Sequence, residues 1–201
     1  MPNYSAPLHD IRFALKLASI NEVSAWPGFQ DATEDLVDAI LEEANKFGSN
    51  VLEPINQIGD RHPSRLQDNQ VSTPQGWKEA YKMFVDAGWT GLSLPEKYGG
   101  QGLPQTMACA VQEIWDATNM AFGLCPMLSQ TAAEAIFQIG TDSQKQTYLP
   151  KLISGEWTGT MNLTEPQAGS DLSLIKTKAI PDSDGRYFLT GQKIYITYGD
   201  H

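Results

Sequence analysis

The chain has 201 residues, 41% hydrophobic and 19% charged, with 12 prolines and 17 glycines, which is globular usage and excludes a disordered or fibrous polypeptide. Twenty-four acidic against 14 basic residues give a net charge of −10, and the basic residues do not cluster, which argues against a nucleic-acid partner. Cys109 and Cys125 have no CxxC spacing and no histidine nearby, so they read as buried free thiols rather than zinc ligands. The start lacks a basic segment followed by an apolar one, and no run reaches the about 18 apolar residues of a membrane span, so a reducing cytoplasm is expected.

Residues 1–31 read as an arm: prolines at 2 and 7, a short periodic run through Ile11, Phe13, Leu15 and Leu17, then Pro27 and Gly28. Asp31 and Glu34 have capping-box spacing, and Leu36, Ile40, Leu41, Ala44 and Phe47 follow at helical period, predicting a helix over 32–47. Residues 50–56 are interrupted by Pro54, and the polar stretch 59–72 reads as a loop. Thr73 before Pro74 looks like an N-cap with a first-turn proline, and Trp77, Tyr81, Phe84 and Val85 form a stripe that Gly88 ends. After an irregular 91–102, helices are predicted from Pro104 to about Asn119 and over 122–138. Thr141 and Gln144 repeat the capping box, and Tyr148, Leu149, Leu152 and Ile153 carry that helix to Gly155.

Up to Gly155 only helix and loop are expected; beyond it the pattern changes. Residues 175–179, 187–189 and 194–197 are short β-rich runs separated by Asp182-Ser183-Asp184-Gly185 and by Gly191, the spacing of an antiparallel meander. The fold class is therefore multidomain α and β, an all-α N-terminal domain followed by the beginning of an antiparallel β domain. The domains read as an extension over 1–31, a helical domain over 32–157 and a partial β domain over 158–201. Three strands are few for a self-sufficient sheet, and the last run ends without cover, as in an N-terminal fragment.

Several local signals have plain structural readings. Gly99-Gly100-Gln101-Gly102 lacks the preceding strand and following lysine of a phosphate loop. Asp182, Asp184 and Gly185 lack the glutamate of a calcium loop and fit a hairpin turn. His9, His62 and His201 are scattered and read as solvated. The run from Met120 to Leu128, with Phe137, fits either core packing or the wall of an apolar tunnel.

The segment with chemical content is Met161-Asn162-Leu163-Thr164-Glu165-Pro166-Gln167-Ala168-Gly169-Ser170-Asp171. Small residues beside serine and aspartate can present backbone N–H groups to an anion, although a polar turn between strands has the same composition. Together with Lys176-Thr177-Lys178-Ala179 and Gly191-x-Lys193-x-Tyr195-Ile196-Thr197, this segment closely resembles the acyl-CoA dehydrogenase flavoproteins. The resemblance extends upstream through Gly91-Leu92-x-Leu94-Pro95-Glu96-x-Tyr98-Gly99-Gly100 and Gln144-Lys145-x-x-Tyr148-Leu149-Pro150, covering most of 33–201. The arm Tyr4-x-Ala6-Pro7-Leu8-x-Asp10-x-x-Phe13 resembles the extension of the larger-subunit subgroup, some of which act on methylthiopropanoyl-CoA or long-chain substrates.

The resemblance implies a helical domain, a β domain and a C-terminal helical bundle absent here, with FAD between β domain and bundle. It implies that Met161, Leu163 and Thr164 lie along the flavin, that Tyr195, Ile196 and Thr197 pack on its other side, and that Ser170 binds substrate or phosphate. Tyr195 stands where many members have tryptophan, and Met161 where several have an aromatic residue. The implied reaction is oxidation of an acyl-CoA to the trans-2-enoyl-CoA, with electrons passed to an electron-transfer flavoprotein by a homodimer or homotetramer. The resemblance also places the apolar run near 120–130 beside the acyl chain. It puts the glutamate base beyond His201, so no catalytic base is named and the 201 residues alone are expected to be inactive. An acyl-CoA oxidase, or a non-catalytic acyl-CoA-binding or assembly module, are the alternatives.

Overall fold

The computed structural model describes residues 4–201, which divide into two compact units, one made of residues up to Gly159 with Asp200 and His201, the other of Thr160–Gly199. The first unit is helical. Its arm forms α1 (Leu8–Leu17) and the single turn α2 (Ile20–Val23), with Ile11, Leu15, Ile20 and Val23 buried. Polar bonds fix α1 to α3 (Glu34–Phe47): Arg12 donates to Asp38 and Glu42 at 2.7 and 2.8 Å, and the Ala6 N–H donates to Asn45 at 2.7 Å.

Thr33, not Asp31, caps α3, its hydroxyl accepting from the Leu36 N–H at 3.3 Å; the hydroxyl is one position before the first helical residue, where N-cap geometry requires the acceptor. A π-turn over Gly48–Leu52 then feeds α4 (Glu53–Arg61). Pro54 does not interrupt it, because a proline in the first turn gives up an N–H that needs no helical partner.

Residues 59–72 are not simply a loop. The helix runs to Arg61, and β1 (Arg65–Gln67) pairs antiparallel with β2 (Gln70–Ser72). Asp68 and Asn69 turn the hairpin with positive φ of 51° and 59°, which matches strand twist and suits these two residue types. The expectation of helix and loop alone before Gly155 is corrected by this hairpin. The next helix, α5 (Trp77–Asp86), starts after Gly76 at φ 84° rather than at a Thr73 cap, because Pro74 belongs to the preceding turn.

The two helices expected over 104–138 form one element, α6 (Gln105–Ile139), broken at Asn119, whose φ and ψ of −158° and 83° are non-helical. The buried Asn119 bridges the break: its Oδ1 accepts from the freed Phe122 N–H at 3.1 Å and its Nδ2 donates to the Leu52 carbonyl of the π-turn at 3.2 Å. Asn56 donates to the Thr118 carbonyl at 3.2 Å. Around this joint Phe47, Phe84, Trp89, Trp115 and Phe122 pack edge-on and tilted, with centroids 5.2–6.4 Å apart.

The capping box at Thr141 and Gln144 opens α7 (Asp142–Ile153) as expected. Leu149, Leu152 and Ile153 bury with Leu94, Tyr98 and Ala133 in a smaller cluster. The buried Thr90 hydroxyl donates to the Ile153 carbonyl at 2.6 Å, and Tyr81 donates to Gly155 at 3.0 Å; burial pushes the Tyr81 hydroxyl up to about 12. In the 91–102 loop, a Cβ on Gly100 would fall 2.0 Å from the Leu94 carbonyl, so only glycine lets the chain fold back there.

In the second unit a single antiparallel hairpin stands where a three-stranded meander was expected. The strand β3 (Lys178–Pro181) pairs with β4 (Tyr187–Thr190) across the Asp182–Gly185 turn, with Gly185 at φ 76°. Residues 194–197 form no strand, because Tyr195 takes a left-handed φ of 54° that ends any extended run.

The organising group of this unit is Glu165, 3% exposed. Its carboxylate accepts from Lys193 Nζ and the Lys176 N–H at 2.8 Å, from the Thr177 N–H at 3.0 Å and from Gln167 at 2.5 Å. Lys193 first, then Thr177 and the Lys176 N–H, hold its carboxyl well below the usual carboxylate pKa range.

Two outcomes are expected. Asn119→Ala leaves the Leu52 carbonyl and Phe122 N–H without partners and lowers stability by about 2 kcal/mol, read by urea denaturation. Because the Glu165 pKa is lowered on folding, its stabilisation is complete above its ordinary value of 4.5 and is lost as pH falls through the lower folded value. Acid titration followed on the Lys176 and Thr177 amide signals should show that loss in the wild type. Glu165→Gln should weaken the loop at neutral pH and abolish its pH dependence.

Candidate functional site

The loop around Glu165 brings together two backbone segments, 160–165 and 193–197. The Ile194 N–H donates to the Thr164 carbonyl at 3.0 Å, Lys193 Nζ donates to the Leu163 carbonyl at 3.0 Å, and the Thr160 hydroxyl donates to the Thr197 carbonyl. These contacts lie in one ribbon, although the residues are 28 or more positions apart in sequence.

All six residues expected to contact a cofactor fall on this ribbon. Met161, Leu163, Tyr195 and Ile196 are 50%, 41%, 86% and 42% exposed, an apolar surface that the unit itself does not fill. Thr164, half-buried, and Thr197, exposed, add hydroxyls beside it. Such a surface suits a flat, largely apolar ring with hydrogen-bonding edges. Glu165 is engaged by a cation and two amides, so it positions the ribbon and is not a free base.

Ser170 is exposed and follows Gly169. Nothing lies within 4 Å of the position a Cβ would take on Gly169, and its φ is outside the left-handed region. No intrachain clash or turn therefore explains that glycine, and the open space leaves its backbone approachable by a ligand. Beyond it, Asp171 accepts from the Ser173 N–H at 3.0 Å and from its hydroxyl at 2.6 Å, which holds the Asp171 carboxyl low and closes the turn.

A second feature, in the helical unit, was not legible in the sequence. The break in α6 leaves a groove of about 880 Å³ between its two arms, lined by Ala108, Cys109, Gln112, Glu113, Asp116 and Met120 on one side and Met127, Gln130, Thr131 and Glu134 on the other. Its advance signal was the run from Met120 to Leu128, read as core or tunnel wall; the small and polar helical face at 105, 108, 109, 112, 116 and 120 is one that the aromatic core does not use.

Three expectations change here. Cys109 is an exposed thiol on this groove rather than a buried one, because it sits opposite the core face of α6; Cys125 is buried, which pushes its thiol up to about 11. Of the apolar run near 120–130, Met120 and Met127 line the groove while Phe122 and Leu128 are buried. Phe137 packs against Tyr98 instead. Among the described residues no group of three or more His, Cys, Asp or Glu could hold a metal ion, and no helix is long and apolar enough to cross a membrane.

Residues 34–156 match the family model for the N-terminal domain of acyl-CoA dehydrogenases. The chain is 46% identical over 199 residues to the 3-methylmercaptopropionyl-CoA dehydrogenase of Ruegeria pomeroyi, covering 98% of this chain and 34% of that protein. Among solved structures it resembles butyryl-CoA dehydrogenase from Megasphaera elsdenii, with TM-score 0.70, 31% identity, and coverage of 82% of this chain and 41% of that one. It also resembles an acyl-CoA dehydrogenase complexed with FAD from Bacillus anthracis, with TM-score 0.67, 25% identity, and coverage of 88% and 28%. The chain thus spans about a third of the length of the curated relative. With more than half its residues in the family's N-terminal domain and the loop around Glu165 intact, the chain belongs to the acyl-CoA dehydrogenase family.

Proposed function

We propose that this chain supplies the N-terminal part of a FAD-dependent dehydrogenase that converts an acyl-CoA to the trans-2-enoyl-CoA. Electrons then pass to an electron-transfer flavoprotein, and the working enzyme is a homo-oligomer. The observation that carries this reading is the bonded ribbon of 160–165 and 193–197, exposing Met161, Leu163, Tyr195 and Ile196 beside Thr164 and Thr197, in a chain of this family.

These residues fit a flavin: the apolar side chains would hold the ring, and the two threonines would hydrogen-bond its edges. When bound, the flavin supplies an acceptor for the hydride leaving the β-carbon. The chain's own part is to orient that ring, to offer Ser170 and the open backbone at Gly169 to substrate or phosphate oxygens, and to keep the ribbon in register through Glu165 and Lys193. Removal of the α-proton needs a carboxylate that is not already paired. Glu165 does not qualify, so the base is proposed to come from outside these 201 residues.

The acyl chain is proposed to lie in the groove beside Met120 and Met127. The 46% identity to a dehydrogenase of 3-methylmercaptopropionyl-CoA favours a short thioether acyl group, which polarizable methionine side chains accommodate.

The test is anaerobic mixing of the FAD-loaded protein carrying this chain with 3-methylthiopropanoyl-CoA and with butanoyl-CoA. Bleaching of the visible flavin absorbance is expected, and Thr197→Ala should slow it about tenfold through loss of one hydrogen bond. Absence of bleaching with every acyl-CoA overturns the reading. The 201 residues alone are expected to bind FAD orders of magnitude more weakly than the whole protein, as read by flavin titration.

A further inference from the structure

The groove between the two arms of α6 has an unusual charge. Glu113, Asp116 and Glu134 line it, and no lysine or arginine does. Among the described residues no cation pairs with any of the three. Asp116 accepts only from the neutral Gln112 amide, at 2.8 Å, and Glu134 from the neutral Gln138 amide, at 2.7 Å. The apolar lining is short, consisting of Leu94, Ala108, Ala117, Met120 and Met127.

We infer that this groove discriminates by charge: it admits acyl groups with a neutral end of few carbons and rejects acyl groups that end in a carboxylate. The inference rests on the proposed placement of the acyl chain in the groove. A terminal carboxylate entering there would lose water and meet three groups of its own sign with no cation to receive it. A methyl or methylthio end meets the thioethers of Met120 and Met127 without such a penalty. Glu113 and Glu134 are exposed, so they act on the ligand's charge without contributing to the aromatic core. They are specificity-determining residues that leave the reacting atoms untouched.

Pentanoyl-CoA and glutaryl-CoA make the matched probes, since they share the five-carbon chain and the entire CoA moiety and differ only at the far end. The whole protein carrying this chain is labelled at its methionine methyl groups, and the Met120 and Met127 signals are assigned with Met120→Leu and Met127→Leu. Both acyl-CoAs are then titrated while those two signals are followed. Pentanoyl-CoA is expected to shift both signals, and glutaryl-CoA to bind about tenfold more weakly or not at all. The double variant Glu113→Gln with Glu134→Gln, checked for native circular dichroism, removes two of the three like charges and should narrow the difference between the two affinities severalfold.

Equal affinities in the wild type, or a difference undiminished in the double variant, overturn the charge filter while leaving the groove as the acyl site. Titrations in which neither acyl-CoA moves Met120 or Met127 overturn the placement itself, and the filter with it. The two failures are therefore separate readouts of one experiment.

Discussion

The helical unit depends on the interruption of α6 at Asn119. An unbroken helix of 35 residues would reach about 52 Å, longer than a domain of this size is wide, and would bury only one stripe. Breaking it exposes backbone groups that a folded interior cannot leave unpaired. Asn119 accepts from the freed Phe122 N–H, Asn56 donates to the Thr118 carbonyl, and the Asn119 amide donates in turn to the Leu52 carbonyl. The same bond ties the π-turn before α4 to the break, so the bend and the packing of α3 and α4 are set together. Thr118 adds to this, since a Cβ on Gly48 would lie 2.9 Å from its hydroxyl oxygen. The groove follows as a geometric consequence, because two arms that diverge from a fixed joint leave space on the concave side.

The second unit solves a different problem with the same means. It has almost no apolar interior: Glu165 and Ala168 are its buried residues, while Tyr187, Phe188 and Leu189 on β4 are 64–76% exposed. Order there cannot come from hydrophobic burial within the unit. It comes from one carboxylate receiving Lys193 and the amides of Lys176 and Thr177, which draws together segments distant in sequence. Gly191 permits the approach, since a Cβ on it would lie 2.1 Å from the Thr177 hydroxyl. Such a loop is rigid where it is bonded and leaves its apolar side chains facing outward.

How much of this was legible follows from whether the determining interaction was local. The cap at Thr141 and Gln144, the stripe of α3 and the turn at Asp182–Gly185 were readable because the partners are three or four residues apart. The hairpin over 65–72 was not, because its strands are three residues each, with one apolar pair, Leu66 and Val71, and the turn pair Asp68-Asn69 as signals. The break near Asn119 was legible, since one helix was expected to end there and another to start at 122, but the role of its side chain was not, because that depends on Leu52, 67 positions away. Residues 194–197 have strand-like composition, yet Tyr195 turns left-handed, so propensity yields there to the tertiary bonds of Lys193 and Ile194. The ribbon residues could be named because they fall in contiguous motifs. The groove could not, because it is a property of the bend.

Charge distribution gives the two units distinct electrostatic roles. Residues 160–199 carry four carboxylates, Glu165, Asp171, Asp182 and Asp184, against four cations, Lys176, Lys178, Arg186 and Lys193. The whole excess of −10 therefore belongs to the rest of the chain, where the groove with its three carboxylates lies. The helical unit therefore carries a field that repels anions, whereas the loop unit, where Ser170 and Gly169 are exposed, is balanced. The two units thus differ in charge balance through where the acids are placed rather than through any single residue.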